Sequence, residues 1–196
     1  MTALLLATLA VGMFAGWLTH GAVRMPPSAE TALFAVMLFG IGVQLGRDPA
    51  LWRRIRHAGW RMLLFPVTTV AGSLTGAAAA APLIGQPVRD ALAVGAGLGW
   101  YSLAAVLTGQ SAGAGLAALA FLANVLREML SFTFIPLLLP YRHGAMAIAI
   151  GGCTTMDTTL PLLHRARRAD VAVYAFVHGV VLSLLVPFLI PLVLRL

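Results

Sequence analysis

The chain has 196 residues, of which 60% are hydrophobic and only 10% are charged, and its net charge is +7. A soluble domain is about 45–50% apolar and about 25% charged, so this composition excludes a soluble globular protein and predicts an integral membrane protein. The basic residues lie in short loops between apolar runs, without the exposed stacking aromatics of a nucleic-acid-binding face. Binding to nucleic acid is therefore excluded as well.

The apolar runs predict an all-α integral membrane protein with about seven apolar segments, because a helix needs about 20 residues to cross the hydrocarbon layer. The chain as a whole, residues 1–196, is predicted to form one transmembrane domain. Eight arginines in the loops after the second and sixth segments, against four in the other loops, place those two loops and the N-terminus in the cytoplasm. The segments are residues 2–18, 29–45, 62–83, 91–107, 113–139, 145–163 and 171–194.

The fourth and sixth segments do not have the sequence of plain spanning helices. The fourth contains Gly-Ala-Gly-Leu-Gly-Trp-Tyr-Ser at residues 95–102, and the sixth contains Gly-Gly-Cys-Thr-Thr-Met-Asp-Thr-Thr-Leu-Pro at residues 151–161. Glycine destabilises a helix by roughly 1 kcal/mol, and a proline removes a backbone N–H. Both segments are therefore predicted to be broken or re-entrant, the construction that secondary transporters use to form binding sites. For the glycines alone, close helix packing is an equally good explanation.

Two acidic residues, Glu128 and Asp157, lie inside the fifth and sixth segments. An ionised carboxylate at the bilayer centre costs about 2.5–3.5 kcal/mol on insertion scales, and such residues usually mark an ion or substrate pathway. A pair of carboxylates on one pathway can exchange a proton for a cation. The sequence therefore predicts that both residues bind a cationic substrate and couple its transport to protons.

Asn124 and Arg127 lie near Glu128 in the sequence and bear on its predicted role. Asn124 lies one helical turn before Glu128, so an amide and a carboxylate are expected on one face. Arg127 points about 100° away and is a candidate partner for a carboxylate on another helix, such as Asp157. The alternative is a structural Arg–Glu–Asp network that only holds the helices together.

Several other polar residues are candidates for the pathway. Asp157 is surrounded by hydroxyl groups and can equally be the N-cap of the second half of a broken helix. A histidine in the seventh segment is a candidate proton relay or a neutral residue bonded to a backbone carbonyl. The full set of candidate pathway residues is Asn124, Arg127, Tyr101, Ser102, Thr154, Thr155, Thr158 and His178.

The same sequence gives little support for enzymatic chemistry. The single cysteine, Cys153, excludes an intramolecular disulfide, and the five histidines are scattered over different loops and segments. No serine has a histidine and an aspartate at a spacing that argues for a catalytic triad. We therefore predict a protein that is not an enzyme and that has neither a cofactor nor a metal site.

Five sequence stretches resemble a known family. They are Gly-Trp-Tyr-Ser-Leu at 99–103, Asn-Val-Leu-Arg-Glu at 124–128, Thr-Met-Asp-Thr-Thr-Leu-Pro at 155–161, Val-His-Gly at 177–179 with Leu-Ser-Leu-Leu-Val-Pro at 182–187, and Phe-Gly-Ile-Gly-Val-Gln-Leu at 39–45. Together they resemble the LysO family of bacterial lysine exporters, and the first four occur in the order of that family. The likeness covers the C-terminal two-thirds of full-length members, so the chain looks like a short or split form.

The resemblance implies a multi-pass protein of the bacterial inner membrane that exports L-lysine or a related basic amino acid. It implies an intramembrane acidic pair at Glu128 and Asp157, with proton antiport as the expected mechanism. It also implies an inverted-repeat transporter, in which a small partner subunit or a second copy of the chain supplies further N-terminal helices. The alternatives are an accessory or scaffold subunit of a two-component transporter and an uncoupled cation channel.

Overall fold

A computed structural model describes residues 61–139, 144–164 and 169–196, together with scattered positions before residue 61. The chain divides into two compact units, Met1–Pro49 and Ala50–Leu196. In the first unit the described positions are helical or in turns, and Phe14 packs against Trp17 with a ring-centroid distance of 6.0 Å. Most of the first two predicted segments and of the arginine-rich loops lie outside the described residues.

The described part of the second unit consists of helices and turns, without strands, so the all-α prediction is confirmed there. Its seven α-helices are numbered in chain order, and one 3₁₀ helix lies between the fifth and the sixth. They are α1 Arg61–Ile84, α2 Val88–Gly95, α3 Tyr101–Ala112, α4 Ala114–Leu138, α5 Gly144–Gly151, the 3₁₀ helix Gly152–Met156, α6 Leu160–Leu163 and α7 Ala169–Leu194.

Three of these helices are long and apolar enough to cross a membrane. The spans are Leu64–Ile84 in α1, Ala114–Leu138 in α4 and Val171–Leu194 in α7. They correspond to the third, fifth and seventh predicted segments. Half of the apolar window of α7 is buried, against 11% for α1, so α7 is the central helix and α1 lies at the edge. The exposed side chains on α4 and α7 include Leu122 and Phe188, which suits a lipid-facing surface.

The fourth and sixth predicted segments are both discontinuous. The first break, residues 96–100, separates α2 from α3, and the second break, residues 152–159, separates α5 from α6. Positive φ angles turn the backbone in both breaks: 51° at Leu98, 100° at Gly99 and 62° at Gly152. Leu98 is fully buried in a left-handed conformation that costs a non-glycine residue roughly 1–2 kcal/mol.

The two breaks contact each other directly. The backbone N–H of Cys153 donates to the carbonyl oxygen of Leu98 at 2.9 Å. Gly152 allows this approach, because a Cβ atom at that position would overlap the same carbonyl oxygen. Gly179 on α7 has a matching role, since its Cβ would come within 2.5 Å of the backbone nitrogen of Met156. The broken segments are therefore joined through their backbones and rest against α7.

A small apolar core lies beside the breaks. Ile135 of α4, Ile148 of α5, Leu163 of α6 and Ala175 of α7 are buried in one cluster with Ala147. Lipid is as apolar as these side chains, so close van der Waals packing holds such helices together. The cluster therefore fixes the two halves of the sixth segment between the long helices α4 and α7.

Candidate functional site

A cavity of about 130 Å³ lies at the crossing of the two breaks. A preformed cavity of about 150 Å³ accepts a molecule as large as benzene, so this one has room for one end of an amino acid. Its wall combines residues of both breaks with residues of α3, α4 and α7. The lining residues are Gly99, Trp100, Tyr101, Ser102, Glu128, Cys153, Thr154, Met156, Asp157, Thr158 and Ser183.

Glu128 and Asp157 both line this cavity, and Thr158 joins them. The Thr158 hydroxyl donates to Oε1 of Glu128 at 2.7 Å, and the Thr158 backbone N–H donates to Oδ1 of Asp157 at 2.6 Å. Glu128 is partly buried, whereas Asp157 and Thr158 are exposed. The helix that follows has Thr159 at its N-cap, without a side-chain cap bond. The structure thus brings the two acidic residues together at one cavity, and Asp157 does not cap α6.

Three further candidates contribute to the same wall. Tyr101 and Ser102 begin α3, where the chain leaves the first break. The Tyr101 ring meets Phe121 of α4 edge-on, with a centroid distance of 5.5 Å, and this contact fixes its position. Thr154 donates its hydroxyl to the Gly151 carbonyl at 2.9 Å, so it shapes the second break as well as lining the cavity.

Asn124 lies outside the cavity wall. Its side-chain oxygen accepts the backbone N–H of Gly99 at 2.8 Å, and its amide nitrogen donates to the carbonyls of Val94 and Ala120 at 3.1 and 2.8 Å. Asn124 is 3% exposed. The helical spacing predicted that Asn124 and Glu128 present their side chains on one open face. In the structure the Asn124 amide is instead bonded at the first break.

Arg127 also faces the backbone. Nε and one terminal nitrogen donate to the carbonyls of Ile150 and Ala149 at 3.1 and 3.0 Å, and the other terminal nitrogen donates to Ser73 at 3.1 Å. The predicted pairing of Arg127 with Asp157 is wrong. The ion pair recorded within the described ranges joins Arg89 and Asp90, outside the cavity. The physical reason is that the carbonyls at the end of α5 need a donor and lie nearer to this helix face.

His178 is 1% exposed and bridges two threonines. Nε2 lies 2.9 Å from the hydroxyl of Thr69 on α1, and Nδ1 lies 3.4 Å from the hydroxyl of Thr155. Because the Thr155 hydroxyl donates to the Gly152 carbonyl at 2.8 Å, it accepts from Nδ1, and Thr69 then donates to Nε2. His178 and Thr155 thus connect the second break to α1 and α7 behind the cavity wall.

Sequence reasoning missed several residues around the site. Ser73 of α1 accepts from Arg127 and donates to the Gly95 carbonyl at 2.9 Å. Ser183 of α7 lines the cavity and donates to the sulfur of Met156 at 3.5 Å. Each is a serine in a largely apolar helix, and that pattern is the only sequence signal that points to them.

The chemistry of the cavity suits a small cation. Two carboxylates supply negative charge, hydroxyls supply further acceptors, and Arg127 is directed away from the cavity. Apolar helices with two discontinuous segments that cross at a binding cavity are the construction typical of secondary transporters. The fold and the site thus define a helical membrane protein of the transporter type.

The sequence matches the family model of lysine exporter LysO over residues 6–194, so the chain belongs to this family and the resemblance is confirmed. A relative from Escherichia coli K12, "Lysine exporter LysO", is 37% identical over 155 residues, which are 79% of this chain and 51% of the relative. A relative from Haemophilus influenzae, "Putative lysine exporter", is 28% identical over 186 residues, 95% of this chain and 94% of the relative. No solved structure matches. The chain thus spans about half of the first relative and nearly all of the second.

Proposed function

We propose that this chain exports L-lysine or a related basic amino acid across the bacterial inner membrane in exchange for protons. The observation that carries the proposal is the cavity at the crossing of the two breaks, where Glu128 and Asp157 are joined by Thr158. Two carboxylates attract an ammonium group, and the names of both relatives point to lysine. The remaining candidates that line the cavity, Tyr101, Ser102 and Thr154, would orient the substrate.

The proposed cycle uses each carboxylate as both a proton site and a cation site. Protonated Glu128 and Asp157 face the outside, then lose their protons to the cytoplasm, where the proton concentration is lower. The resulting carboxylates bind the cationic amino acid on the cytoplasmic side. Reprotonation from outside removes the charge that holds the substrate and releases it outward. A cation and a proton compete for the same charge, and this competition couples the two fluxes.

Purified chain in liposomes loaded with labelled lysine tests the proposal. With an inwardly directed proton gradient, we expect lysine efflux together with proton uptake, measured with a pH-sensitive dye. Lysine efflux without proton movement would favour the uncoupled cation channel. Efflux that needs an added partner protein and that persists when the chain carries Glu128→Gln would favour an accessory or scaffold role.

A partner is considered because the chain matches only 51% of the length of the Escherichia coli relative. We propose that further helices come from a small partner subunit or from a second copy of this chain, completing an inverted repeat. The Haemophilus influenzae relative is matched over 94% of its length, so the family contains another chain of this size. Cross-linking of the chain in its native membrane, followed by mass measurement, separates the two assemblies.

A further inference from the structure

Arg127 is a partly buried cation whose hydrogen-bond partners are not acids. The three hydrogen bonds of its guanidinium go to the carbonyls of Ala149 and Ile150 and to the hydroxyl of Ser73, at 3.0–3.1 Å. Among the described residues none of these partners carries a negative charge. Something other than a carboxylate must therefore compensate the guanidinium charge.

The ends of two half-helices supply that compensation. Ala149 and Ile150 are the last residues before Gly151, where α5 ends, and their carbonyls face Arg127 directly. The hydroxyl of Ser73, which accepts from Arg127, donates in turn to the carbonyl of Gly95, where α2 ends. A helix C-terminus carries about half a negative elementary charge, so two such ends together balance about one positive charge. The single guanidinium thus neutralises the C-terminal ends of both broken helices.

The contact also fixes the geometry of the crossing. The hydroxyl of Ser131, one turn after Arg127 on α4, lies 2.7 Å from the Arg127 carbonyl and 3.1 Å from the Ile150 carbonyl, so its single proton is shared between the two. A Cβ atom at Gly152 would make a tight contact of 3.1 Å with a terminal nitrogen of Arg127, so the guanidinium packs closely against the second break. Leu98 and Cys153, whose backbones meet between the breaks, are next to these contacts. Arg127 therefore lies where the two broken segments must be kept together.

In other transporters with broken helices, unwound carbonyls and half-helix C-terminal ends coordinate a coupling ion such as sodium. Here those oxygen atoms already bind a side chain. We propose that Arg127 is a positioning residue whose guanidinium holds the two broken helices at their crossing and takes the place of a coupling metal cation. As a consequence, lysine export needs neither sodium nor potassium ions, and this consequence rests on the proposed export function.

Cys153 gives a direct readout of the crossing, since it is the only cysteine of the chain and is 4% exposed. A maleimide should label wild-type protein slowly. We expect Arg127→Gln to raise the labelling rate at least about tenfold, because the charged donor that closes the crossing is lost. Arg127→Lys keeps the charge but not the planar guanidinium, so its Cys153 labelling rate should lie between those of the wild type and Arg127→Gln. The matched control is Arg89→Gln, a surface arginine paired with Asp90, and it should label like the wild type.

A folded Arg127→Gln protein with wild-type labelling of Cys153 would overturn the positioning role. If Arg127→Gln does not yield monodisperse protein, Ser73→Ala decides the question. This variant keeps the guanidinium and removes only the hydroxyl between Arg127 and Gly95, so the labelling rate should rise severalfold. An unchanged rate in Ser73→Ala would then contradict the proposal.

The second part of the proposal is tested with wild-type protein. Replacing all sodium and potassium ions by choline should leave both the Cys153 labelling rate and the lysine efflux from liposomes unchanged. Protection of Cys153 by sodium or potassium ions, or efflux that requires either ion, would reveal a metal cation at the crossing and overturn this part. Because labelling does not depend on transport, it remains decisive even if the chain proves not to export lysine.

Discussion

Thr158 donates its hydroxyl to Glu128 at 2.7 Å, and this bond connects helix α4 to the second break. The same residue donates its backbone N–H to Asp157, so one threonine holds both carboxylates at one cavity. A bond between a long helix and a broken segment must be remade whenever the two move relative to each other. Whatever binds Glu128 therefore also acts on the position of Asp157.

Replacing Thr158 by valine should lower export while leaving the fold intact. The substitution keeps the shape and removes the hydroxyl, and a bond of this kind contributes about 1 kcal/mol, so we expect roughly fivefold slower efflux. Thr158→Ser should retain most of the rate. Thr75→Val is the control, because Thr75 is exposed and its hydroxyl donates to carbonyls of its own helix. Equal rates in all three variants would show that the bond has no part in transport.

Removing either acidic group from the cavity should abolish export. Glu128→Gln and Asp157→Asn keep the size of the side chains and remove the charge that binds an ammonium group. Lysine efflux should fall to the level of lysine-loaded liposomes without protein. The control Asp90→Asn alters an acidic residue outside the cavity and should not change the efflux. Both variants should insert into the membrane in normal amounts. Undiminished efflux in both would refute the proposed role of the pair.

Two glycines at the crossing should tolerate no side chain. An alanine Cβ at Gly152 would overlap the Leu98 carbonyl, and one at Gly179 would approach the Met156 backbone nitrogen to 2.5 Å. Backbone atoms cannot yield as a flexible side chain does, so we expect each change to destabilise the protein by about 1–3 kcal/mol.

The matched control is Gly76→Ala on α1, since among the described residues nothing lies within 4 Å of its Cβ position. Alanine favours helix there by up to about 1 kcal/mol, so this variant should melt at or above the wild-type temperature. Thermal unfolding in detergent, followed by tryptophan fluorescence, measures all three variants. A Gly152→Ala protein as stable as the wild type would mean that the breaks do not approach as closely as described.

Asn124→Ala should destabilise the first break. The substitution leaves the backbone N–H of Gly99 without its acceptor in a buried position. An unsatisfied buried donor costs about 1–3 kcal/mol. The melting temperature should therefore fall, and Thr75→Ala should leave it nearly unchanged. If Asn124→Ala kept full stability but lost export, Asn124 would contact the substrate and not only the backbone.

Replacing His178 by glutamine should lower stability without changing how export depends on pH. His178 bonds Thr69 and Thr155 and does not line the cavity. Glutamine offers one donor and one acceptor, but they cannot reach both threonines as the imidazole ring does. Efflux measured between pH 5 and pH 8 should keep the same midpoint. A displaced midpoint would make His178 part of the proton pathway.

The positions of the helices and breaks were largely predictable from local sequence. The predicted third, fifth and seventh segments match α1, α4 and α7 to within a few residues, and both breaks fall in the predicted glycine-rich stretches. Such features follow from properties of single residues: hydrocarbon transfer, glycine flexibility and the missing N–H of proline. The pairing of Arg127 with Asp157 failed because the direction of a long side chain depends on which acceptors a neighbouring helix brings within reach.

The sequence by itself determined that the protein is a helical membrane protein with two carboxylates in its apolar segments and two segments that cannot be continuous helices. Only the tertiary structure decided that the two breaks meet, that Glu128 and Asp157 share one cavity through Thr158, and that Arg127 and Asn124 bind backbone instead. The reason is physical. Burial and helix formation are properties of short stretches of sequence, whereas a hydrogen bond between helices depends on their rotation and crossing, which the packing of the whole chain sets.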